Sequence, residues 1–257
     1  MYDKRCEVRP LLPPIREGAR VAMALSKLSG DEQGIILGQL RNTLEPRLAM
    51  YFSSASKELR ALLTPAVRQQ LRTDYEAATA LCLKVGMRDC KELREATQVV
   101  WEDKGLTAAD LATLAKLGSV LPALERLTLD EPSGSAGPDG VPRLAEGLVA
   151  GALPAMIRFE IYNIHVHEAG ASALAATLDR GALPRLQMLC LVQAAISDAA
   201  LVALAPALRR RLTLDTLYLS FNPFGDEGLA ALVAPPPAAG APPPPTGGLE
   251  KLKVLDL

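Results

Sequence analysis

The apolar positions in the second half of this chain follow a two-part rhythm that repeats. Leu186, Leu189 and Leu191 stand at i, i+3 and i+5, and Leu214, Leu217 and Leu219 repeat that spacing 28 residues later. It also occurs at Leu124, Leu127 and Leu129, and with other apolar residues at Met156, Phe159 and Ile161. The last copy is Leu252, Leu255 and Leu257. In each copy the last two apolar residues flank a single position, as a strand buried on one face requires. The period then changes. Leu201, Leu204 and Leu208 sit at i, i+3 and i+7, one stripe of a helix. Leu229 and Leu232, Ala171, Leu174 and Leu178, and Val141, Leu144 and Leu148 behave in the same way. The pattern therefore predicts strand, turn, helix in every unit. Gly151 followed by Pro154, and Gly181 followed by Pro184, are the stop signals of the intervening helices.

A strand–helix unit of this size cannot bury its own apolar face. Stacking neighbours removes that face from water, at about 25 cal/mol for each Å². The period thus predicts an α/β solenoid over 96–257, with parallel strands on the concave side and helices on the convex side. Its first unit is degenerate: Ala96, Val99 and Trp101 precede a helix stripe of Leu106, Leu111 and Leu114. Thr107 is its N-cap, with Asp110 three residues on. A Pro-rich insertion at 234–248, holding Pro235–Pro237 and Pro242–Pro245, lengthens the last interval and reads as a surface loop. Leu252, Leu255 and Leu257 have no helix stripe after them, so further repeats are expected beyond the given sequence.

One copy carries a family resemblance. Leu214, Leu217, Leu219, Asn222, Phe224, Gly228, Leu229 and Leu232 are spaced as in a leucine-rich repeat of the ribonuclease-inhibitor type. The resemblance covers 96–257. It implies that the Asn after each strand bonds backbone groups of the turn and forms a ladder between repeats. Here only Asn222 matches, and Pro132, Ile164 and Ala194 occupy the slot elsewhere. An apolar residue there supplies no such hydrogen bonds.

The front third reads differently. Residues 1–20 are polar, hold Pro10, Pro13 and Pro14, and are expected to be poorly ordered. The segment 21–95 predicts an all-helical module. Thr64 caps a long helix that begins at Pro65 and runs to about Lys84 before Gly86, and Asp89 caps a short one through Glu95. Within this module Leu28, Ile36, Leu37, Leu40, Pro46 and Leu59 resemble the apolar positions of an F-box, although Ser29, Glu32 and Gln33 depart from that pattern. The resemblance implies contacts from Leu28, Ile36 and Pro46 to a Skp-type linker of a cullin ubiquitin ligase.

Composition adds mostly exclusions. A net charge of −1 supplies no field that would draw the chain to nucleic acid or to a membrane surface. No apolar run reaches the ~18 residues of a membrane span. Cys6, Cys82, Cys90 and Cys190 show neither zinc nor disulfide-scaffold spacing, so free thiols in the cytoplasm or nucleus are expected. With two histidines, His165 and His167, and no P-loop or nucleophile elbow, no enzyme chemistry, cofactor, small-molecule substrate or metal site is predicted.

The strand pattern instead predicts an outward-facing binding surface. Its candidates are Arg126, Thr128, Arg158, Glu160, Tyr162, Met188, Cys190, Val192, Tyr218 and nearby Phe221. Thr216, Val254 and Asp256 share those rows. Charge early and apolar or aromatic groups later suit a protein partner. The expected function is non-enzymatic protein recognition or scaffolding, with the role of substrate adaptor implied by the F-box resemblance. The alternative is a Ran-type GTPase-activating regulator, implied by resemblance to the same repeat class.

Overall fold

The computed structural model describes residues 29, 32, 42–44, 49, 60–61, 63–233 and 248–257. The chain divides into two compact units, Met1–Tyr75 and Glu76–Leu257. In the first, Ser29 and Glu32 form a capping box. Ser29 N–H donates to Glu32 Oε2 at 2.8 Å, and Glu32 N–H donates to Ser29 Oγ at 3.2 Å. Two of the departures from the F-box pattern thus make a helix start. Leu28, Ile36, Pro46 and most of the predicted helices before Thr64 lie outside the described residues.

The long helix predicted from Pro65 is present as α1 (Pro65–Lys84), with Thr64 Oγ1 accepting the Val67 N–H at 3.3 Å. The boundary between the units falls inside it. Gly86, at φ +86°, ends it, and the Met87 N–H returns to the Cys82 carbonyl at 2.8 Å. A short helix α2 (Cys90–Glu95) follows, and Asp89 accepts the Glu92 N–H as its N-cap.

From there the second unit is an α/β domain. Six strands form one parallel sheet in chain order: β1 (Gln98–Glu102), β2 (Arg126–Asp130), β3 (Arg158–Tyr162), β4 (Met188–Val192), β5 (Thr216–Tyr218) and β6 (Val254–Asp256). Helices α3 (Ala108–Leu117), α4 (Gly140–Gly147), α5 (His167–Asp179), α6 (Asp198–Arg209) and α7 (Asp226–Val233) alternate with them, each packed on the next. The register follows the sequence spacing. Val99 and Trp101 pair with Leu127 and Leu129, so the degenerate first unit joins the sheet. Leu217 pairs with Leu255 at the other end.

The core lies between the strand row and the helix row. Leu127, Leu129, Phe159, Ile161, Leu189, Leu191 and Leu217 come from the strands, and Leu111, Leu144, Leu174, Leu201 and Leu232 from the helices; all are buried. Thr107 and Asp110 make the predicted capping box at the start of α3. The helices approach closely where small residues allow it. A Cβ on Gly147 of α4 would lie 2.6 Å from the Ala115 Cβ of α3. Helix ends are closed by the following unit. Arg180 Nη2 donates to the Ala145 and Leu148 carbonyls at 3.3 and 3.4 Å, and Arg211 Nη2 donates to the Leu178 and Ala182 carbonyls. A guanidinium there meets both unpaired carbonyls and the negative end of the helix dipole.

The predicted insertion, apart from its last residue, lies outside the described residues. A 3₁₀ turn, Gly248–Lys251, leads into β6. Among the described residues no helix is long and apolar enough to cross a membrane.

Candidate functional site

The in-register sheet brings the candidate residues into three rows. Arg126, Arg158, Met188 and Thr216 form the first, Thr128, Glu160, Cys190 and Tyr218 the second, and Asp130, Tyr162 and Val192 the third. They alternate with the core leucines, so they lie on the opposite face of the sheet. The three rows on one face are what the leucine spacing implied.

Exposure within the rows differs from expectation. Thr128, Glu160, Cys190 and Thr216 were predicted to face outward, yet they are 5 %, 2 %, 1 % and 8 % exposed. The reason is crowding. Adjacent strands stand ~4.8 Å apart, so the short Thr128, Cys190 and Thr216 side chains are overtopped by longer neighbours, and Glu160 lies beneath the Arg126 and Arg158 side chains that it pairs with. Arg126, Tyr162, Met188, Val192 and Tyr218 are half-buried, Arg158 is exposed, and the Phe221 side chain projects from the turn after β5 at 81 % exposure.

Glu160 organises the basic end of the face. Its Oε2 is 3.0 Å from Arg126 Nη2 and accepts the Thr128 hydroxyl at 3.0 Å. Its Oε1 lies 3.2 Å from Arg158 Nε, close enough for an ion pair but off line for a hydrogen bond. Arg126 Nε is buried without a hydrogen-bond partner. Two guanidiniums therefore share one buried carboxylate. The next patch is neutral. Burial, then contact with the Cys190 thiol, pushes the Tyr162 hydroxyl to a higher pKa. Burial likewise raises the Cys190 thiol, so both stay protonated at neutral pH.

The turns beyond the strands carry groups that sequence reasoning missed. Glu131 is fully buried. Its Oε1 accepts the N–H groups of Lys104 and Leu106 at 3.0 and 2.9 Å, and its Oε2 accepts the Gly105 N–H at 3.0 Å. This is the job assigned to the Asn slot, performed one position earlier than Pro132. An acidic residue just before the vacant slot was its only signal. Asn222 fills its expected role: Oδ1 accepts the Ala194 and Ile196 N–H groups at 3.0 Å each. Ile164 and Ala194 are buried, and Asn163 Nδ2 donates to Asp130 Oδ1 at 2.7 Å.

His165 and His167 have ring centroids 5.1 Å apart, and among the described residues no group of three metal-ligating side chains comes together. Cys82, Cys90 and Cys190 are free and buried. Compared with known proteins, the chain matches no family model and no curated protein.

Proposed function

We propose that this chain is a non-enzymatic protein-recognition module, built as a leucine-rich-repeat solenoid of the ribonuclease-inhibitor-like class. In this reading the strands line a concave face and the helices a convex one, and the face binds a protein partner. The observation that carries it is Phe221. The equivalent turn position is Asp103, Asn163 or Gln193 in three other units, and all four residues have left-handed backbone, with φ between +48° and +59°. A large aromatic there meets a steric cost, and its exposure adds an unfavourable contact with water. The fold gains nothing from it, whereas an interface does, since aromatic anchors supply much of binding energy. Tyr218 ends β5 three residues before it, and Val192 ends the neighbouring strand β4.

The adaptor role rests on Leu28, Ile36 and Pro46 of the helical module, which would grip a Skp-type linker. A cytoplasmic or nuclear setting suits the free thiols. The test is capture of partners from cell extract by the full chain, with and without Phe221→Ser and Tyr218→Ser. Proteins lost from both variants support the reading, and an unchanged set sinks it. Ile36→Asp should remove a Skp-type linker alone.

A further inference from the structure

We infer that the face proposed above takes an extended segment of its partner, with one carboxylate on Arg126 and Arg158 and an apolar side chain near Tyr218 and Phe221. This rests on the recognition reading and adds the chemistry of the bound chain.

The charge count at the basic end is unequal. Arg126 and Arg158 have only Glu160 between them, and the Glu160 side chain is 3 % exposed. The two guanidinium side chains remain 34 % and 44 % exposed. Glu160 therefore holds the arginines side by side from beneath while their outer N–H groups meet solvent. The pair keeps one positive charge in excess, in partly desolvated surroundings where a second carboxylate is attracted more strongly than at an open surface. The other acids of the face stand away from the pair. Asp130, which accepts from Asn163, and Glu102 beside it on β1 lie at the other end of their strands, ~13 Å along, and Asp256 on β6 stands beside Tyr218.

The spacing sets the length of the ligand. Arg126 on β2 and Tyr218 on β5 are three strand intervals (about 14 Å) across and two residues (about 7 Å) along the strands from each other, a span of about 16 Å. An extended chain covers ~3.4 Å per residue, so the carboxylate and the apolar residue fall about four to five positions apart. Met188, half-buried between the two ends, offers a neutral floor for the residues that cross it.

The test uses fluorescein-labelled synthetic peptides that carry Leu and, four positions away, Asp, Asn or Lys. Binding to the full chain is followed by fluorescence polarisation. The Asp peptide should bind at least about tenfold more tightly than the Asn peptide, and the Lys peptide more weakly still. Arg126→Ala and Arg158→Ala should each remove most of the Asp–Asn difference. Phe221→Ala should weaken Asp and Asn peptides alike. Because Arg126→Ala disturbs a buried carboxylate and can compromise folding, the unmodified protein supplies a second readout. At about 1 M salt, where screening acts over ~3 Å, the Asp–Asn gap should close. Equal binding of the three peptides, binding of none, or an Asp preference that survives loss of both arginines overturns the inference. Partner capture that depends on Phe221 but not on the arginines would do so too, while leaving the recognition reading intact.

Discussion

Glu131 holds the turn at Leu106 as Asn222 holds the turn at Ile196. Each side chain reaches back to the preceding unit and accepts backbone N–H groups that β-strand pairing leaves over, at 2.9–3.0 Å. The two differ in what else they do. Asn222 also donates from Nδ2 to the Leu191 and Leu219 carbonyls at 2.6 and 2.7 Å. Glu131 has no donor, and collects the Ser135 hydroxyl at 3.1 Å instead.

Replacing Glu131 with Ala strands three backbone donors in a buried turn. At ~1–3 kcal/mol for each unsatisfied group, partly relieved by entering water, the loss should be about 4 kcal/mol. Urea denaturation should show this as a lower midpoint, and amide exchange at Lys104, Gly105 and Leu106 should accelerate. Asn222→Asp makes the complementary case: it keeps an acceptor but turns a carboxylate on the Leu191 and Leu219 carbonyls. It should cost about 2 kcal/mol or more, whereas a purely acceptor-based role would leave it nearly silent.

The Glu160 carboxylate should matter more to its neighbours than the arginines matter to it. Glu160→Ala leaves Arg126 and Arg158 facing each other without compensation, and should destabilise by about 3 kcal/mol. Solvent access to both arginines keeps this below the loss expected for a fully enclosed pair. Exchanging Glu160 and Arg126 together for Met should recover most of the loss, because no buried charge then remains unpaired. Thermal or urea melts of the two variants decide this, and a double variant no better than Glu160→Ala would contradict it.

Cys82 and Cys90 should be slow to alkylate in the folded protein. Burial, with the Cys90 sulfur 3.9 Å away, pushes the Cys82 thiol up to about 12, so almost no thiolate exists at pH 8. Cys190 is also buried, and its thiol is raised. Iodoacetamide labelling followed by peptide mapping should show all three modified only as the chain unfolds. Rapid labelling of Cys190 in native protein would place it on an open surface after all.

Much of this fold was legible because the leucine spacing states it twice, once as strand alternation and once as helix stripe. The pairing of Val99 with Leu127 and of Leu217 with Leu255 follows from that spacing alone. Exposure on the opposite face was less legible, because a two-residue period says which way a side chain points and nothing about the size of its lateral neighbours. Thr128 and Cys190 are buried by what stands beside them on adjacent strands, distant in sequence. Glu131 escaped notice for a related reason. Its turn departs from the left-handed residue found at Asp103, Asn163, Gln193 and Phe221, and this moves the hydrogen-bonding role by one position. Leu28, Ile36 and Pro46 lie outside the described residues.

The pH response of α3 supplies a last test. Burial opposes the charge on Asp110, but the Lys84 ammonium at 2.6 Å and the Thr107 N–H and hydroxyl outweigh it and hold its pKa below the usual aspartate range. A carboxylate depressed in the folded state contributes stability that is fully present above its unfolded pKa, ~3.9. That stability is lost as pH falls through the lower folded value. Asp110→Asn removes the charge at every pH, so at pH 7 it should cost about 1–2 kcal/mol in cap and ion-pair stabilisation. As the medium is acidified below about pH 4 the gap between variant and parent should shrink toward zero. Lys84→Met should narrow the same gap without abolishing it, since the Thr107 bonds persist. A gap that stays constant down to pH 2 would show that Asp110 acts through shape alone, with its charge making no contribution.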